Sequence, residues 1–215
     1  MINENMKIEE AVKIKPDVVE ILNANNIDFC CGGYKNLGQS IKEEGLDVDE
    51  FIDKLNAFKS EIQVSDWRLA LKLNKRELID YIVVNHHRTE EVLIEEVEKL
   101  LGKILSVHYE NHGQELTKIY QLFLALKSDL MPHFAEEEKI IFPNALNTES
   151  IDWTKLRDDH EKAGDLLREL QKVTNDFTAP SDGCNTYRLA FKKLHELVDD
   201  IHLHIFLENS VLFEK

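Results

Sequence analysis

Two short segments of the sequence resemble each other: HFAEEEKIIF at 133–142 and HIFLENSVLF at 204–213. Each begins with histidine, carries glutamate four residues later and ends on an aliphatic pair followed by phenylalanine. Residues four apart lie on the same face of an α-helix, separated by about 6 Å of rise. The two segments are therefore internal copies of one helical His-x-x-x-Glu unit.

Four amphipathic stretches extend outward from these segments, with apolar residues at helical spacing and short connections between them. This pattern predicts an all-α protein whose larger part is an antiparallel four-helix bundle. The stripes are Ile79, Val83, Glu90, Ile94, Val97, Leu101 and Ile104; Leu116, Ile119, Phe123, Leu126, Leu130, His133, Glu137 and Ile140; Trp153, Leu156, His160, Ala163, Leu167 and Leu170; and Tyr187, Ala190, Leu194, Leu197, Ile201, His204, Glu208 and Val211.

The sequence of the N-terminal part predicts a separate, smaller unit made of short helices. We place an N-terminal helical domain at 1–62, a linker at 63–74 and the bundle at 75–215. Within the small domain, Cys30-Cys31-Gly32-Gly33 predicts a loop whose glycines permit positive φ. A core of this size is marginal on its own. We therefore expect the domain to dock on another surface or to form a homodimer.

Composition excludes several classes of protein. The 215 residues carry 41 acidic and 26 basic side chains, a net charge of −15 that repels nucleic acid. The sequence shows no apolar run long enough to span a bilayer and no secretory signal, so we expect a cytoplasmic protein without membrane attachment. The three cysteines give no disulfide framework, and Cys30 and Cys31 are adjacent, which predicts free thiols.

Polar residues interrupt the apolar stripes where the bundle core is expected. A lone buried carboxylate costs several kcal/mol, so it needs a counter-charge, and a divalent metal is the obvious one. Each His-x-x-x-Glu unit also has one core histidine upstream: His160 before His204, and either His86 or His87 before His133. Periodicity does not decide between His86 and His87. The plainer alternative is a set of core histidines bonded to neighbouring polar groups.

The donor count favours two metal ions. Four imidazoles and two carboxylates are too many for one tetrahedral zinc and suit two metals bridged by both glutamates. Because imidazole and carboxylate ligands with carboxylate bridging suit iron or manganese, the pattern points to a dinuclear centre of that kind.

The chain also resembles a known family over nearly its whole length. The resemblance rests on Asp28-Phe29-Cys30-Cys31-Gly32-Gly33, Asp66-Trp67-Arg68, the His86-His87 pair, both His-x-x-x-Glu units, Asp159-His160-Glu161 and Ser181-Asp182-Gly183-Cys184. In these motifs the chain resembles the repair-of-iron-centres (RIC) di-iron proteins of the ScdA/YtfE type, with a hemerythrin-like HHE bundle.

The resemblance implies a centre of two non-haem Fe ions, carboxylate-bridged and oxo- or hydroxo-bridged. It selects the second histidine of the pair, so that the implied ligands are His87, His133, Glu137, His160, His204 and Glu208. Asp129 and Asp159 stand where family members often carry glutamate. They are one methylene shorter, and we expect them to relay protons or guide iron unless they are solvated helix-face residues.

The resemblance and the thiols together leave two classes of function. The first is a stress-response protein that repairs iron–sulfur clusters damaged by nitric oxide or oxidants, by iron donation or by nitric oxide removal. In this class Cys30 and Cys31 act as thiols on iron or on a client protein. The alternative is a sensor or carrier of O₂ or nitric oxide without turnover. Paired thiols favour repair, since a simple carrier has no need of them.

Overall fold

The computed structural model describes residues 1–59, 67–147 and 151–215, and these residues form helices without a β-strand. The predicted all-α class is confirmed. The helices are α1 (Ile8–Ile14), α2 (Val18–Asn23), α3 (Leu37–Glu43), α4 (Val48–Ala57), α5 (Trp67–Ala70), α6 (Lys75–Ile82), α7 (Arg88–Val107), α8 (Tyr109–Glu136), α9 (Phe142–Asn147), α10 (Thr154–Val173) and α11 (Asn185–Leu207).

The structure divides into two compact units. The first contains Met1–Ile79 and His202–Lys215, and the second contains Asp80–Ile201. The domain limits that the sequence indicates stay a prediction. The first part of the expected linker at 63–74 falls within residues 60–66, which lie outside the described residues. No helix in the described ranges is long and apolar enough to cross a bilayer.

The first unit builds its small core from both ends of the chain. Phe206 packs against Phe29 and against Trp67, each with ring centroids 6.1 Å apart. All three rings are buried. The C-terminal segment therefore supplies apolar surface that the short N-terminal helices lack.

The second unit contains the main length of the four-helix bundle. Helix α7 ends at Val107 and α8 begins at Tyr109, so the chain reverses within one residue. Helix α8 packs against both α7 and α10, and Lys193 of α11 forms an ion pair with Glu96 of α7 at 3.5 Å. The predicted antiparallel bundle is confirmed.

Within the described ranges, three π-helical segments interrupt the long helices, at Val83–His87, Glu137–Ile141 and Glu208–Leu212. A π-turn inserts an extra residue into an α-helix and is frequently found at functional sites. Each segment contains one of the candidate metal ligands. The inserted residue also rotates the downstream turn of helix, so Ile140, which the periodicity places in the core, is 55% exposed, while Phe142 is buried.

Candidate metal centre

Three candidate ligands of the second unit lie together. One ligand atom from each of His133, Glu137 and His160 lies within 4.8 Å of the others. Because His133 and Glu137 are four apart, they share one helix face, and His133 Nε2 is 3.2 Å from Glu137 Oε1. His160 reaches the same point from α10, with its Nε2 3.2 Å from His133 Nε2. Two nitrogens bound to one metal at about 2.1 Å and at tetrahedral to right angles lie about 3.0–3.4 Å apart. The two imidazoles thus have the spacing of ligands to one ion.

His87 approaches Glu137 from the other side. Its Nε2 is 3.4 Å from Glu137 Oε2, and its Nδ1 donates a hydrogen bond of 2.9 Å to Glu138 Oε1. The ring is fully buried and stacks on Phe134, with centroids 4.6 Å apart. A carboxylate on the second ring nitrogen fixes the tautomer and presents the other nitrogen as a ligand. His87 is therefore held in the orientation that metal binding requires.

Glu138 is a supporting residue that the sequence did not single out. Burial raises the pKa of its carboxyl, but hydrogen bonds from His87 and Arg88 outweigh this effect and hold the pKa below its ordinary value. Glu138 is therefore a charged acceptor for His87. Its position directly after the proposed ligand Glu137 is the only signal that the sequence offered.

The adjacent His86 has different partners. Its Nδ1 forms a hydrogen bond of 3.0 Å with Oδ2 of Asp200 on α11. The structure thus places His87, and not His86, beside Glu137. This geometry favours the histidine that the family resemblance selects.

Glu137 provides the test of whether these residues fit a metal. Its side chain is fully buried, and within the described part of the chain neither carboxylate oxygen accepts a hydrogen bond. Burying an ionised carboxylate without compensation costs several kcal/mol or more. The ring nitrogens of His87 and His133 lie 3.4 and 3.2 Å from its oxygens. A carboxylate surrounded by imidazole nitrogens is a donor set for iron, manganese or zinc.

The second His-x-x-x-Glu unit, in the first compact unit, repeats the geometry of the first. His204 Nε2 is 3.3 Å from Glu208 Oε1, and the two side chains are 2% and 0% exposed. Glu208 begins a π-helical segment, as Glu137 does. The internal copy is therefore a copy in structure as well as in sequence.

The cysteine loop is organised by Asp28. Its Oδ1 accepts hydrogen bonds from the backbone N–H groups of Cys30 and Cys31, at 3.1 and 2.9 Å, and from the Cys30 thiol at 3.2 Å. The two sulfurs are 3.7 Å apart, and both cysteines are free. The hydrogen bond between the thiols, burial and the Asp28 charge together raise the pKa of Cys30 well above its ordinary value. Cys30 is therefore a neutral thiol at physiological pH.

The glycines of this loop serve close packing. A Cβ on Gly32 would lie 2.8 Å from the carbonyl oxygen of Asp28, and one on Gly33 would lie 2.9 Å from that of Phe29. Gly45 is the glycine that adopts positive φ in the described ranges. Gly32 and Gly33 therefore do not use the positive φ that glycine permits, and the close approach of the backbone is what requires glycine at these positions.

Asn209 connects the cysteine loop to the second His-x-x-x-Glu unit. It is buried next to Glu208 in sequence, and its Nδ2 donates a hydrogen bond of 3.3 Å to the Cys30 carbonyl. Both partners belong to the first compact unit. Sequence reasoning missed Asn209 because 179 residues separate it from Cys30.

The two aspartates predicted as relays lie in more open places. Asp129 is exposed on α8, and Asp159 is half-buried on α10, where Lys162 pairs with it at 3.2 Å. Their role as relays stays a prediction.

Cys184 has a partner that the sequence did not reveal. His108 Nε2 lies 3.2 Å from its Sγ. This hydrogen bond is the largest of the effects that lower the pKa of the exposed thiol to about 7. In a chain with Cys30 and Cys31 replaced by serine, we expect the iodoacetamide reaction of Cys184 to rise with pH around a midpoint near 7.

Replacing His108 by glutamine is expected to move that midpoint toward the ordinary value of 9.0, since the imidazole no longer stabilises the thiolate. The rate of alkylation against pH is the measurement. An unchanged midpoint in the His108→Gln variant would contradict the pairing.

Comparison with known proteins places the chain in a family. Residues 77–215 match the hemerythrin HHE cation binding domain, and residues 4–59 match ScdA_N, a domain of unknown function. The iron-sulfur cluster repair protein ScdA of Staphylococcus haemolyticus is 30% identical, with 100% of this chain and 99% of that protein covered. The chain belongs to the ScdA/YtfE family.

Further relatives in this family are also named for cluster repair. The iron-sulfur cluster repair proteins YtfE of Cronobacter sakazakii and Escherichia coli O1:K1 are each 30% identical, over 88% of this chain and 86% of theirs. The matched HHE domain binds cations, and the buried imidazoles and carboxylates described above fit that role.

Proposed function

We propose that this protein repairs damaged iron–sulfur clusters from a centre of two non-haem iron ions bridged by carboxylates. The observation that carries the proposal is the buried Glu137 carboxylate, whose oxygens face the ring nitrogens of His87 and His133. The family supports it, because ScdA and YtfE are named for iron–sulfur cluster repair. The proposed ligands are His87, His133, Glu137, His160, His204 and Glu208.

Each ligand has a defined task in this proposal. His133 and His160, whose Nε2 atoms lie 3.2 Å apart, would hold one iron, and His87 and His204 would hold the other. The Glu137 and Glu208 carboxylates would neutralise part of the charge of the ions. Bound iron would supply electrons and open coordination positions for nitric oxide or O₂, because six protein ligands do not fill two coordination spheres.

The thiols give the centre a connection to its clients. Cys30 is held as a neutral thiol, and Asn209, which follows Glu208 in sequence, holds the Cys30 backbone through a hydrogen bond to its carbonyl. When a metal ion binds and the thiol proton is released to solvent, the resulting thiolate is a strong soft ligand for iron. We propose that Cys30 and Cys31 receive or pass on iron when a damaged iron–sulfur protein binds, in the reducing environment of the cytoplasm.

The two adjacent histidines test the ligand set. His87→Ala removes a nitrogen that lies 3.4 Å from Glu137, so we expect it to lower tightly bound iron and to change the absorption spectrum of the centre. His86→Ala removes the partner of Asp200 and is expected to leave that spectrum nearly intact. Iron analysis and absorption spectra of the two purified variants are the measurements. A larger loss in His86→Ala than in His87→Ala would refute the assignment.

A further inference from the structure

A second group of metal-binding side chains lies in the bundle unit, apart from the ligands assigned above. His86, Glu90 and Asp200 each offer one ligand atom, and these atoms lie within 4.8 Å of one another. His86 lies near the end of a π-helical segment, Glu90 comes one turn later on α7, and Asp200 lies on α11. Two separate helices thus converge on one point with three donors.

Burial sets this group apart from surface acidic clusters. His86 is 2% exposed and Glu90 is fully buried, whereas 23% of the Asp200 side chain remains accessible. A buried imidazole and a buried carboxylate that share one point with a second carboxylate are donors already gathered for a cation. The accessible edge of Asp200 gives an ion a route from solvent.

The site is distinct from the proposed iron centre. Successive residues of a helix point about 100° apart, and the contacts show this divergence. His87 faces Glu137 and Glu138, whereas His86 faces Asp200. The adjacent residues His86 and His87 therefore belong to two different groups of side chains.

We propose that His86, Glu90 and Asp200 form a separate, exchangeable site for a divalent transition-metal ion such as Fe²⁺ or Mn²⁺. One nitrogen and two carboxylate oxygens suit these ions better than the softer Cu⁺, which prefers sulfur ligands. Three protein donors leave positions for water, so the ion is held more weakly than in a closed cage. The site goes beyond the repair function and does not depend on it.

Manganese provides a direct probe, because the electron paramagnetic resonance signal of free aqueous Mn²⁺ is lost when the ion binds. We expect the iron-loaded full-length protein to take up about one Mn²⁺ per chain without releasing iron, as one further three-donor site requires. Asp200→Asn is expected to weaken this uptake about tenfold or more, since it removes a charged ligand. Iron content is expected to stay unchanged.

Asp199→Asn is the matched control. Its side chain is 50% exposed and contacts His195, so its loss is expected to leave Mn²⁺ uptake as in the wild type. Glu90→Gln, checked for folding by circular dichroism, serves as a second variant and is expected to weaken uptake in the same way.

Three results would overturn the proposal: no Mn²⁺ uptake by the wild type, uptake matched by equal release of iron, or equal weakening in Asp199→Asn and Asp200→Asn. Because manganese and iron are measured separately, loss of the iron centre in another variant would not count against this site.

Discussion

The Glu137→Gln variant is expected to lose iron and yet to be more stable than the wild type when both are metal-free. Glutamine keeps the volume of the side chain and removes the charge that bridging requires. In the metal-free protein the charge is a cost, because the carboxylate is fully buried and accepts no hydrogen bond within the described ranges. Neutralising a buried charge of this kind is expected to raise the free energy of unfolding by about 1–3 kcal/mol.

Opposite changes in iron content and stability distinguish a metal ligand from a structural residue. Iron per chain is measured on the loaded protein, and urea unfolding is measured after chelation. Glu136→Gln is the matched control, since Glu136 pairs with Lys155 on the surface; exposed pairs contribute about 0–1 kcal/mol. If Glu137→Gln destabilised the metal-free protein and kept its iron, the carboxylate would be a structural hydrogen-bonding group.

Replacing Cys30 and Cys31 together by serine is expected to abolish most repair while sparing iron content. Neither cysteine is among the six proposed ligands, so the iron centre remains. A serine hydroxyl at position 30 can still donate to Asp28, which accepts from the thiol at 3.2 Å in the wild type. Stability is therefore expected to change by about 1 kcal/mol or less.

Serine lacks the two abilities assigned to these thiols. A serine hydroxyl does not readily release its proton when iron binds, and its oxygen is not a soft ligand. We expect reactivation of a nitric-oxide-damaged iron–sulfur protein to fall about tenfold or more, which the activity of that client measures. Cys184→Ser is the control, since Cys184 is exposed and contacts His108. Full repair by the double variant would contradict the role proposed for the two thiols.

The periodic pattern of apolar residues predicted most of the fold. Leu116, Ile119, Phe123 and Leu126 repeat at helical spacing and are all buried. Helical spacing predicts buried positions because a helix in a bundle is stabilised mainly by burying one apolar face. The π-helical segments were not predicted, and for this reason Ile140 was expected in the core although it is exposed. The sequence does not show where such a residue is inserted, because tertiary contacts determine where the helix widens.

The candidate site was predictable where its residues lie close in sequence. His133 and Glu137 share a helix face by spacing alone, and so do His204 and Glu208. Contacts over long separations were not predictable from spacing. Asn209 with Cys30, and His86 with Asp200, join residues 179 and 114 positions apart. No local pattern encodes such pairs, because the packing of separate helices brings them together.

Anaerobic reactivation of a nitric-oxide-damaged [4Fe–4S] protein tests whether repair depends on the iron centre. The wild type loaded with iron, the same protein after chelation, and the iron-depleted Glu137→Gln variant are compared at equal concentration. The proposal predicts that the iron-loaded wild type restores client activity and that the other two do not. Equal reactivation by the chelated protein or by Glu137→Gln would contradict a repair function that depends on the iron centre.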